Sequence, residues 1–332
     1  MIWAAEYLKT QGHDIEVQYP QKGSGLQIHL SGDQITDVVI PQDADVIVLQ
    51  RVAHIWHAQV ISLLRKKGVA VVIDMDDDLT AIHRKNKAWL NYHPKSNTPY
   101  SWRNAEQACK DATLVTVSTA PLLKVYAKHG RGQVIDNYVP QSNLDIAVEQ
   151  DDVFGWAGTT MSHPTDLSVC GRLVQQLVDD GYKFRVVGPT SEVKTQLKLA
   201  QEPEYTGLIK MDDWAAATAR LRVAMAPLEI SPFNNAKSRL KAIEASSVGV
   251  PWVASPRQEY RRFHRESGGG LLAESPKDWY KSIKQLMDDE PMRKELGERG
   301  REYMRTQTIE ANAHLWLEAW TQAYEHEQAD KG

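Results

Sequence analysis

Four aspartates follow an apolar run in the segment VAVVIDMDDDLTAI (69–82), and they are the first pattern that suggests chemistry. The run reads as a buried strand, and Asp74, Asp76, Asp77 and Asp78 come at its carboxyl end. Carboxylates in that position can hold a divalent metal or act as a nucleophile. The sequence therefore raises the question of whether this cluster is a catalytic centre or whether the chemistry lies elsewhere.

A second pattern combines two lysines and a glutamate in PLEISPFNNAKSRLKAIEASSVGVPWVAS (227–255). The segment predicts a strand end, a loop, a helix over 235–248 and another strand. On such a helix Lys237, Lys241 and Glu244 fall at i, i+4 and i+7, on one face. Lysines near a helix start can neutralise a diphosphate, and a glutamate two turns on can accept hydrogen bonds from ribose hydroxyls. An exposed face of charged residues is the simpler alternative, and spacing alone favours it.

A glycine-containing turn forms the third pattern, in FGWAGTTMSHPTDL (154–167). The order is a strand, then Gly155 and Gly158, then small polar residues and a helix start. Pro164 suits a first helical turn, and Asp166 suits the positive end of the helix dipole. Backbone amides at such a turn can cradle phosphate. Because glycine is common in strand–helix turns, this pattern is weak by itself.

Short strands and helices alternate along the chain, and they must position these three patterns. The predicted strands are 13–17, 45–49, 69–73, 113–117, 133–136, 153–157, 183–187, 204–208, 222–227 and 251–255, and the main predicted helices are 2–11, 54–68, 120–130, 164–181, 212–221, 235–248 and 308–328. Continuous apolar strands indicate burial on both faces, and the alternation predicts doubly wound parallel sheets. The chain opens on a helix and not on the strand that usually starts such a domain, so this first, apparently missing strand is lost, precedes the given sequence, or is replaced by a short irregular edge.

Length and composition predict a globular protein of two domains. The 332 residues exceed one ordinary core, and 42% of them are hydrophobic and 25% charged. The polar segment 141–152 is the best linker between two α/β halves. The net charge of −4 gives no reason to expect a nucleic-acid-binding protein. Only Cys109 and Cys170 are present, which favours a reducing compartment over a disulfide framework.

Membrane and targeting signals are absent from the sequence as read. No apolar run approaches the roughly 20 residues that span a bilayer. The first twenty residues contain neither a basic region nor a long apolar core, so they do not read as a signal peptide. We therefore expect a cytoplasmic protein without integral membrane contact.

The second pattern resembles the donor-site helix of retaining GT-B-fold glycosyltransferases of the group 1 (family 4-like) class. In that class a glutamate, a second one eight residues on, and a Gly-x-Pro-x-Val-Ala-Ser strand frame the donor. EASSVGVPWVAS matches the second half, with Glu244 in the ribose-binding role, whereas the first glutamate falls at Ala236. The segment resembles instead a branch reading N-x-A-K-S-x-x-K, in which Lys237 contacts the diphosphate. Ordered motifs extend this resemblance over 153–305.

The resemblance implies a GT-B fold, an α/β architecture of two Rossmann-like doubly wound domains facing across a cleft, with a C-terminal crossover helix. The implied division is an acceptor-side domain over 1–145, a donor-binding domain over 146–306, and a helix over 307–332 that returns to the first domain. It also implies that no bound metal or other cofactor is needed, because basic side chains and helix ends supply the positive field.

The resemblance assigns site residues in three groups. Lys237 is the first candidate for stabilising the leaving diphosphate, with Lys241 or Arg239 second. The donor-binding candidates are Gly155, Gly158, Thr159, Thr160, His163, Gly188, Pro189, Leu208, Ile209, Asn235 and Glu244. The acceptor-side candidates are Arg51, His54, Asp76, Asp77 and Asp78. A structural capping role for one or two of these aspartates is equally compatible with the sequence.

The function implied is transfer of a hexosyl-type sugar from a nucleoside-diphosphate sugar to an acceptor hydroxyl, with retention. The acceptor can be a glycan, a protein or a small molecule. A second hypothesis is a degenerate GT-B protein that binds a nucleotide sugar or a partner subunit without catalysis, suggested by Ala236 and the missing strand. A third is a magnesium-dependent phosphohydrolase of the haloacid dehalogenase type that uses Asp74 and Asp76.

Overall fold

The computed structural model describes residues 1–18, 26–32, 34–40, 43–96, 100–147, 149–190 and 192–331. The chain forms two compact units. The first unit contains Met1–Ile82, Ala88–Asp136 and Glu310–Gly332. The second unit contains His83–Lys87 and Asn137–Ile309. These bounds differ from the predicted division at 145/146 and 306/307. Residues 137–145 were predicted to belong to the first domain but lie in the second unit, and so does His83–Lys87.

Helices and strands alternate in both units. The strands are β1 (Ile28–Ser31), β2 (Gln34–Val38), β3 (Val46–Gln50), β4 (Ala70–Met75), β5 (Leu114–Val117), β6 (Gly132–Val134), β7 (Val153–Ala157), β8 (Lys183–Val187), β9 (Glu204–Tyr205), β10 (Val223–Ala226), β11 (Trp252–Ala254) and β12 (Gly270–Leu272). The helices are α1 (Ile2–Thr10), α2 (Ile55–Lys66), α3 (Trp89–Tyr92), α4 (Tyr100–Asp111), α5 (Ala120–Tyr126), α6 (Leu173–Asp179), α7 (Val193–Leu197), α8 (Met211–Ala219), α9 (Pro232–Asn235), α10 (Leu240–Ser247), α11 (Gln258–Ser267), α12 (Pro276–Asp288), α13 (Glu290–Met304), α14 (Ile309–Asn312) and α15 (His314–Ala329).

The first unit is built on a parallel sheet in which β3, β4, β5 and β6 follow one another in chain order. An antiparallel hairpin of β1 and β2 precedes it. The prediction of a strand at 13–17 is wrong, since the described residues there form no strand and have no partner strand to supply hydrogen bonds. The hairpin was not predicted, because its strands are short and largely exposed.

The second unit contains a six-stranded parallel sheet in the order β12-β11-β10-β7-β8-β9. Chain order runs outward from β7 through β8 to β9, and then restarts beside β7 with β10, β11 and β12. This reversal is the mark of a doubly wound sheet, and the crevice at the reversal is where ligands bind in such folds. The predicted α/β class with parallel sheets is confirmed.

Two predicted helices are broken in the structure. The one at 164–181 is a 3₁₀ helix over Asp166–Cys170 followed by α6, with Gly171 at a φ of 60° between them. The one at 235–248 begins later than predicted, as α10 at Leu240. A separate short helix, α9, precedes it and ends at Asn235, and Ser231 caps α9 by accepting a hydrogen bond from the Asn234 amide. Residues 236–239 connect the two pieces.

The predicted linker at 141–152 is part of the second unit. A 3₁₀ helix spans Gln141–Asp145, and Leu144 packs into the core of that unit. The Arg301 guanidinium donates hydrogen bonds to the carbonyls of Leu144 and Ile146. Position 148 of this segment lies outside the described residues.

The C-terminal residues pack on the first unit, where α15 contacts β3, β4 and β5. The predicted single helix over 308–328 is α14 followed by α15. Glu327 is only 3% exposed and accepts hydrogen bonds from Arg65 Nε at 2.7 Å and Thr113 Oγ1 at 2.8 Å. Asp330 accepts from Arg131 and Arg65, and the Arg131 guanidinium lowers the pKa of Asp330 to about 2. These contacts fix the helix on the first unit.

Candidate active site

The candidate site lies where the sheet of the second unit reverses its order. Two segments follow the carboxyl ends of the adjacent strands β7 and β10: the β7 turn, residues 158–165, and the β10 loop, residues 227–231. Carboxyl ends of neighbouring parallel strands lie at the same edge of a sheet, so the two segments are neighbours. The second and third sequence patterns are thereby brought together.

Two glycines let the turns after β7 and β8 approach closely. The Gly158 amide donates to the Val187 carbonyl at 3.0 Å, and Gly188 adopts a φ of 126°. A Cβ at Gly188 would lie 2.4 Å from the Gly158 carbonyl oxygen. The Gly188 amide donates to Thr206 Oγ1 at 2.9 Å. Glycine is required at 188 by both its backbone conformation and the available space.

Lys241 projects from the first turn of α10 beneath the β7 turn. Its Nζ donates to the Ala157 carbonyl at 2.9 Å and lies 5.5 Å from the centroid of the Trp156 ring. A Cβ at Gly158 would lie 2.9 Å from this Nζ and 2.8 Å from the ring. Burial lowers the pKa of Lys241, while the charge of Glu244 opposes that shift. Gly158 thus makes room for an ammonium group.

Glu244 follows Lys241 by three residues on α10 and is partly buried. Burial raises the pKa of Glu244, and the Lys241 charge and the Trp214 indole oppose the rise. The two side chains form a charge pair in which each favours the ionised form of the other. Such a pair presents a donor and an acceptor at the same edge of the sheet.

Lys237 lies in the 236–239 connection and not on the helix where it was predicted. Its Nζ is 4.7 Å from the centroid of the Phe233 ring, and the side chain is partly exposed. The charges of Lys237 and Lys241 both lower the pKa of His163, so all three side chains are within electrostatic range. Two ammonium groups therefore converge at the candidate site, although only Lys241 is helical.

Asp166 joins the β7 turn to the β10 loop. Its Oδ2 lies 2.6 Å from His163 Nδ1, and its Oδ1 accepts hydrogen bonds from the Glu229 amide at 3.0 Å and Asn234 Nδ2 at 2.6 Å. Burial alone would raise the pKa of Asp166, but the bonds from His163, Glu229 and Asn234 outweigh burial and hold the pKa below its usual value. Asp166 lies in the first turn of the 3₁₀ helix over Asp166–Cys170, at the helix start that the sequence predicted for it, and it is only 3% exposed.

Arg239 and Gly155 do not line this site. Arg239 is 4% exposed, pairs with Glu266 at 3.0 Å and stacks 5.2 Å from the Phe263 ring, so it holds α10 against α11. Gly155 lies within β7, where a Cβ would be 2.6 Å from the Arg185 carbonyl oxygen. Arg239 faces away because it directly precedes α10, two positions from Lys241.

The other predicted donor-side residues differ in environment. Thr160 is buried, and Thr159 Oγ1 accepts from the Met161 amide at 3.3 Å. Pro189 follows Gly188 at the end of β8 and is partly buried, and Asn235 is the exposed last residue of α9. In the turn after β9, Ile209 packs on the core while Leu208 is 93% exposed.

A short piece of the first half of the chain also contributes to the second unit. Asn86 Nδ2 donates to the Ser162 carbonyl at 3.2 Å, and His83 and Asn86 line a small cavity beside Asp166. Sequence reasoning missed Asn86, Asn234 and the role of Asp166. The Ser231–Pro232 helix-start signal could have located Asn234, whereas nothing in the pattern of 83–87 marks it as part of this site.

In the first unit, Asp74 sits at the end of β4 as predicted. Thr116 Oγ1 donates to it at 2.7 Å and Gln50 Nε2 at 3.3 Å. Burial raises the pKa of Asp74, opposed first by the Thr116 bond. Asp78 accepts hydrogen bonds from the amide and hydroxyl of Thr80, which is the capping role that the sequence left open.

Arg51 connects the other two aspartates. Its Nε lies 3.1 Å from Asp76 Oδ1 and its Nη2 lies 3.0 Å from Asp77 Oδ2. Arg51 has a φ of 52°, a left-handed backbone conformation. His54 caps α2 by accepting from the Trp56 amide at 3.3 Å. Among the described residues, no group of three or more histidine, cysteine or acidic side chains is arranged to hold a metal.

Comparison with known proteins bears on the family and the fold. Residues 171–318 match the family model described as glycosyl transferase-like. No curated protein sequence matches the chain. Sucrose-phosphate synthase from Thermosynechococcus elongatus superposes with a TM-score of 0.63 at 15% identity, over 85% of this chain and 74% of its own.

Two further structures share the fold. A trehalose-phosphate synthase from Burkholderia xenovorans, solved with glucose-6-phosphate, has a TM-score of 0.56 at 14% identity, over 84% of this chain and 74% of its own. HepE from Anabaena, solved with UDP, has a TM-score of 0.56 at 14% identity, over 80% of this chain and 76% of its own. Residues 171–318 are thus similar to a glycosyl transferase-like family, and the chain has the GT-B fold that these structures share.

Proposed function

We propose that this protein is a glycosyltransferase that moves a sugar from a nucleoside-diphosphate sugar to an acceptor hydroxyl with retention of anomeric configuration, and without a bound metal. The observation that carries the proposal is the convergence of Lys237, Lys241 and the β7 turn where the sheet reverses its order. That crevice is where doubly wound sheets bind nucleotides.

The diphosphate is the part of the donor that this site fits best. As the bond to the anomeric carbon breaks, negative charge grows on the departing diphosphate. Positive groups fixed in advance stabilise such charge without reorganising. Lys241 is fixed by the Ala157 carbonyl, and Lys237 reaches the same region from the 236–239 connection. Two ammonium groups supply the charge that a divalent cation provides in other transferases.

Glu244 is proposed to bind the ribose. It follows Lys241 on α10, whose positive charge favours the ionised form of Glu244, and an ionised carboxylate accepts hydrogen bonds. A hydroxyl pair of ribose offers two donors. We propose that backbone groups contact the nucleotide base. They come from the turn at Gly188, which follows β8, and from the exposed segment around Leu208, which follows β9.

The acceptor is proposed to bind at Arg51, Asp76 and Asp77 of the first unit. These side chains are partly exposed and combine donors with acceptors, as recognition of a polyhydroxylated acceptor requires. The left-handed backbone of Arg51 is the kind of strain that clusters at functional sites. A glycan, a protein or a small molecule fits this description.

Two further observations bear on the setting of the reaction. No described helix is both long and apolar enough to traverse a lipid bilayer. Cys109 and Cys170 are buried free thiols, and burial raises the pKa of Cys109 to about 12. Unpaired cysteines fit the cytoplasmic location that we propose.

A thermal-shift screen tests the proposal. UDP-glucose, GDP-mannose, ADP-glucose and dTDP-glucose are added to the full chain with and without EDTA, and nucleotide release is followed in parallel. One donor should raise the melting temperature by mass action, equally with the chelator, and should be slowly hydrolysed. NMR of the sugar product should then show the anomeric configuration of the donor. No shift with any donor, or a shift abolished by EDTA, contradicts the proposal.

A binding protein without catalysis is the second candidate, and Ala236 favours it. The first glutamate of the resembling class falls at this position, where the chain has a side chain that is 4% exposed and apolar. A donor-specific thermal shift without nucleotide release, even with candidate acceptors present, would support this alternative.

A further inference from the structure

His163 and Asp166 form a buried pair at the candidate site. The exposed fractions of their side chains are 13% and 4%. His163 Nδ1 lies 2.6 Å from Asp166 Oδ2, while Asp166 Oδ1 is occupied by the Glu229 amide and by Asn234. An ionised carboxylate only accepts hydrogen bonds, so Nδ1 carries the proton and Nε2 is the titrating nitrogen.

Three charged groups face the His163 ring. Asp166 faces it from the 3₁₀ helix, Lys241 from α10, and Lys237 from the 236–239 connection. Burial lowers the pKa of His163, Lys241 lowers it further, and Asp166 opposes these effects. Beyond Asp166, Glu229 and His83 line the adjoining cavity. In the ligand-free protein, burial and the two nearby ammonium groups therefore disfavour the protonated ring.

We propose that His163 is a third donor to the nucleotide-sugar diphosphate, and that Asp166 is the positioning residue that fixes its tautomer and stabilises its protonated form. The proposal rests on the nucleotide-sugar function proposed above. Nε2–H donates to a phosphate oxygen, and no proton is transferred to the phosphate. The pair gives the site a charge that appears when the donor binds.

The sign of the pH effect follows from the charges. A bound diphosphate brings two negative charges beside the ring and raises the pKa of His163 above that of the ligand-free protein. The protein therefore takes up a proton on binding. The added affinity is fully present below the ligand-free pKa and is lost as pH rises through the bound-state pKa. Asp166 stays ionised throughout, because its pKa is held below the usual value.

Calorimetry of donor binding tests the proposal. The tightest binder of the four nucleotide sugars is titrated into the full chain between pH 5.5 and 8.5, in pairs of buffers with different ionisation enthalpies. The diphosphate diester itself does not titrate in this range. Affinity should rise about tenfold from the alkaline to the acidic end, as expected for one charge-assisted hydrogen bond, with proton uptake on binding.

Three variants separate positioning from folding. His163→Gln keeps a hydrogen-bonding amide but cannot titrate, so its affinity should not change with pH. Asp166→Asn should shift the pH dependence to lower pH, because the negative charge that favours the imidazolium is lost. His264→Gln is the control: this partly buried histidine of the same unit contacts the Gly270 carbonyl, and its variant should retain the wild-type profile.

Each outcome decides between the hypotheses. A His163→Gln profile equal to that of the wild type, or no proton uptake by the wild type, overturns the proposal. An Asp166→Asn variant that loses stability but keeps the wild-type pH profile shows that Asp166 is merely structural. Failure of the wild type to bind any of the four donors at any pH refutes the nucleotide-sugar function itself.

Discussion

Lys241 and Glu244 each favour the charged form of the other. Both are partly buried on α10, and burial acts against the ionised form of each. The sequence correctly placed them three residues apart on one helix. It could not reveal that Lys241 is anchored by the Ala157 carbonyl, because that contact joins segments 84 residues apart.

A double-mutant cycle should detect this dependence. Lys241→Met removes the charge but keeps most of the side-chain length, and it leaves Glu244 without its counter-charge. We expect Lys241→Met and Glu244→Gln together to destabilise less than the sum of the single changes, by about 1 kcal/mol. Urea unfolding of the four proteins at pH 7 measures the coupling. Additive single changes would show that the two charges do not interact.

At the scale of elements, the site depends on turns that meet at one edge of the sheet. Most strand positions were predictable, because short continuous apolar runs such as 69–73 and 153–157 that are bounded by polar or turn residues favour buried strands; the exposed β1 and β2 lack such runs. The ends of helices were less predictable. The helix predicted over 235–248 starts only at Leu240, after a separate short helix that Ser231 caps and that ends at Asn235, and Gly171 divides the one predicted over 164–181.

The Gly188 turn supplies an element-scale prediction. Gly188 and Gly181 both have positive φ, at 126° and 97°, but only at Gly188 would a Cβ meet other atoms within 4 Å. Alanine at either position incurs backbone strain, and at Gly188 it also forces the β7 and β8 turns apart. We expect Gly188→Ala to destabilise by about 2 kcal/mol more than Gly181→Ala.

Chemical denaturation of the two glycine variants, with donor titrations alongside, measures this difference. Gly188→Ala should also weaken donor binding, since it displaces the Gly158 turn, while Gly181→Ala should not. Equal destabilisation by Gly188→Ala and Gly181→Ala would contradict this prediction, because it would mean that the turns after β7 and β8 can move apart at no cost.

The buried glutamate of α15 supplies a second element-scale prediction. Removing one partner of a buried ion pair leaves an uncompensated charge, which costs about 3 kcal/mol. Glu327→Gln should therefore lower the free energy of unfolding by about 3 kcal/mol, because Arg65 and Thr113 lose a charged acceptor. Glu325→Gln, on the exposed face of the same helix, should cost less than about 0.5 kcal/mol. Similar melting temperatures for the two variants would contradict a fixed C-terminal helix.

At the scale of the molecule, both units combine segments that are distant in the sequence. The first includes the C-terminal residues, which the family resemblance had predicted, and the second includes His83–Lys87, which nothing in the sequence had predicted. The five polar residues of His83–Lys87 show no periodic pattern, so the sequence does not indicate to which unit they belong, and only the packing of the folded chain does. The family match begins at residue 171 and does not include the β7 turn, so the role that we propose for that turn depends on the sequence resemblance and on its place at the end of β7.

In the mechanism that we propose, ammonium groups hold the donor diphosphate without a metal, at the place where the sheet of the second unit reverses its order. Calorimetric titration of the selected nucleotide sugar in EDTA, into the wild type, Lys237→Ala and Lys183→Ala, tests it most directly. Lys183 is an exposed lysine at the opposite end of a strand of the same sheet. We predict at least about tenfold weaker binding for Lys237→Ala and an unchanged Kd for Lys183→Ala. Equal dissociation constants for all three proteins would contradict the account.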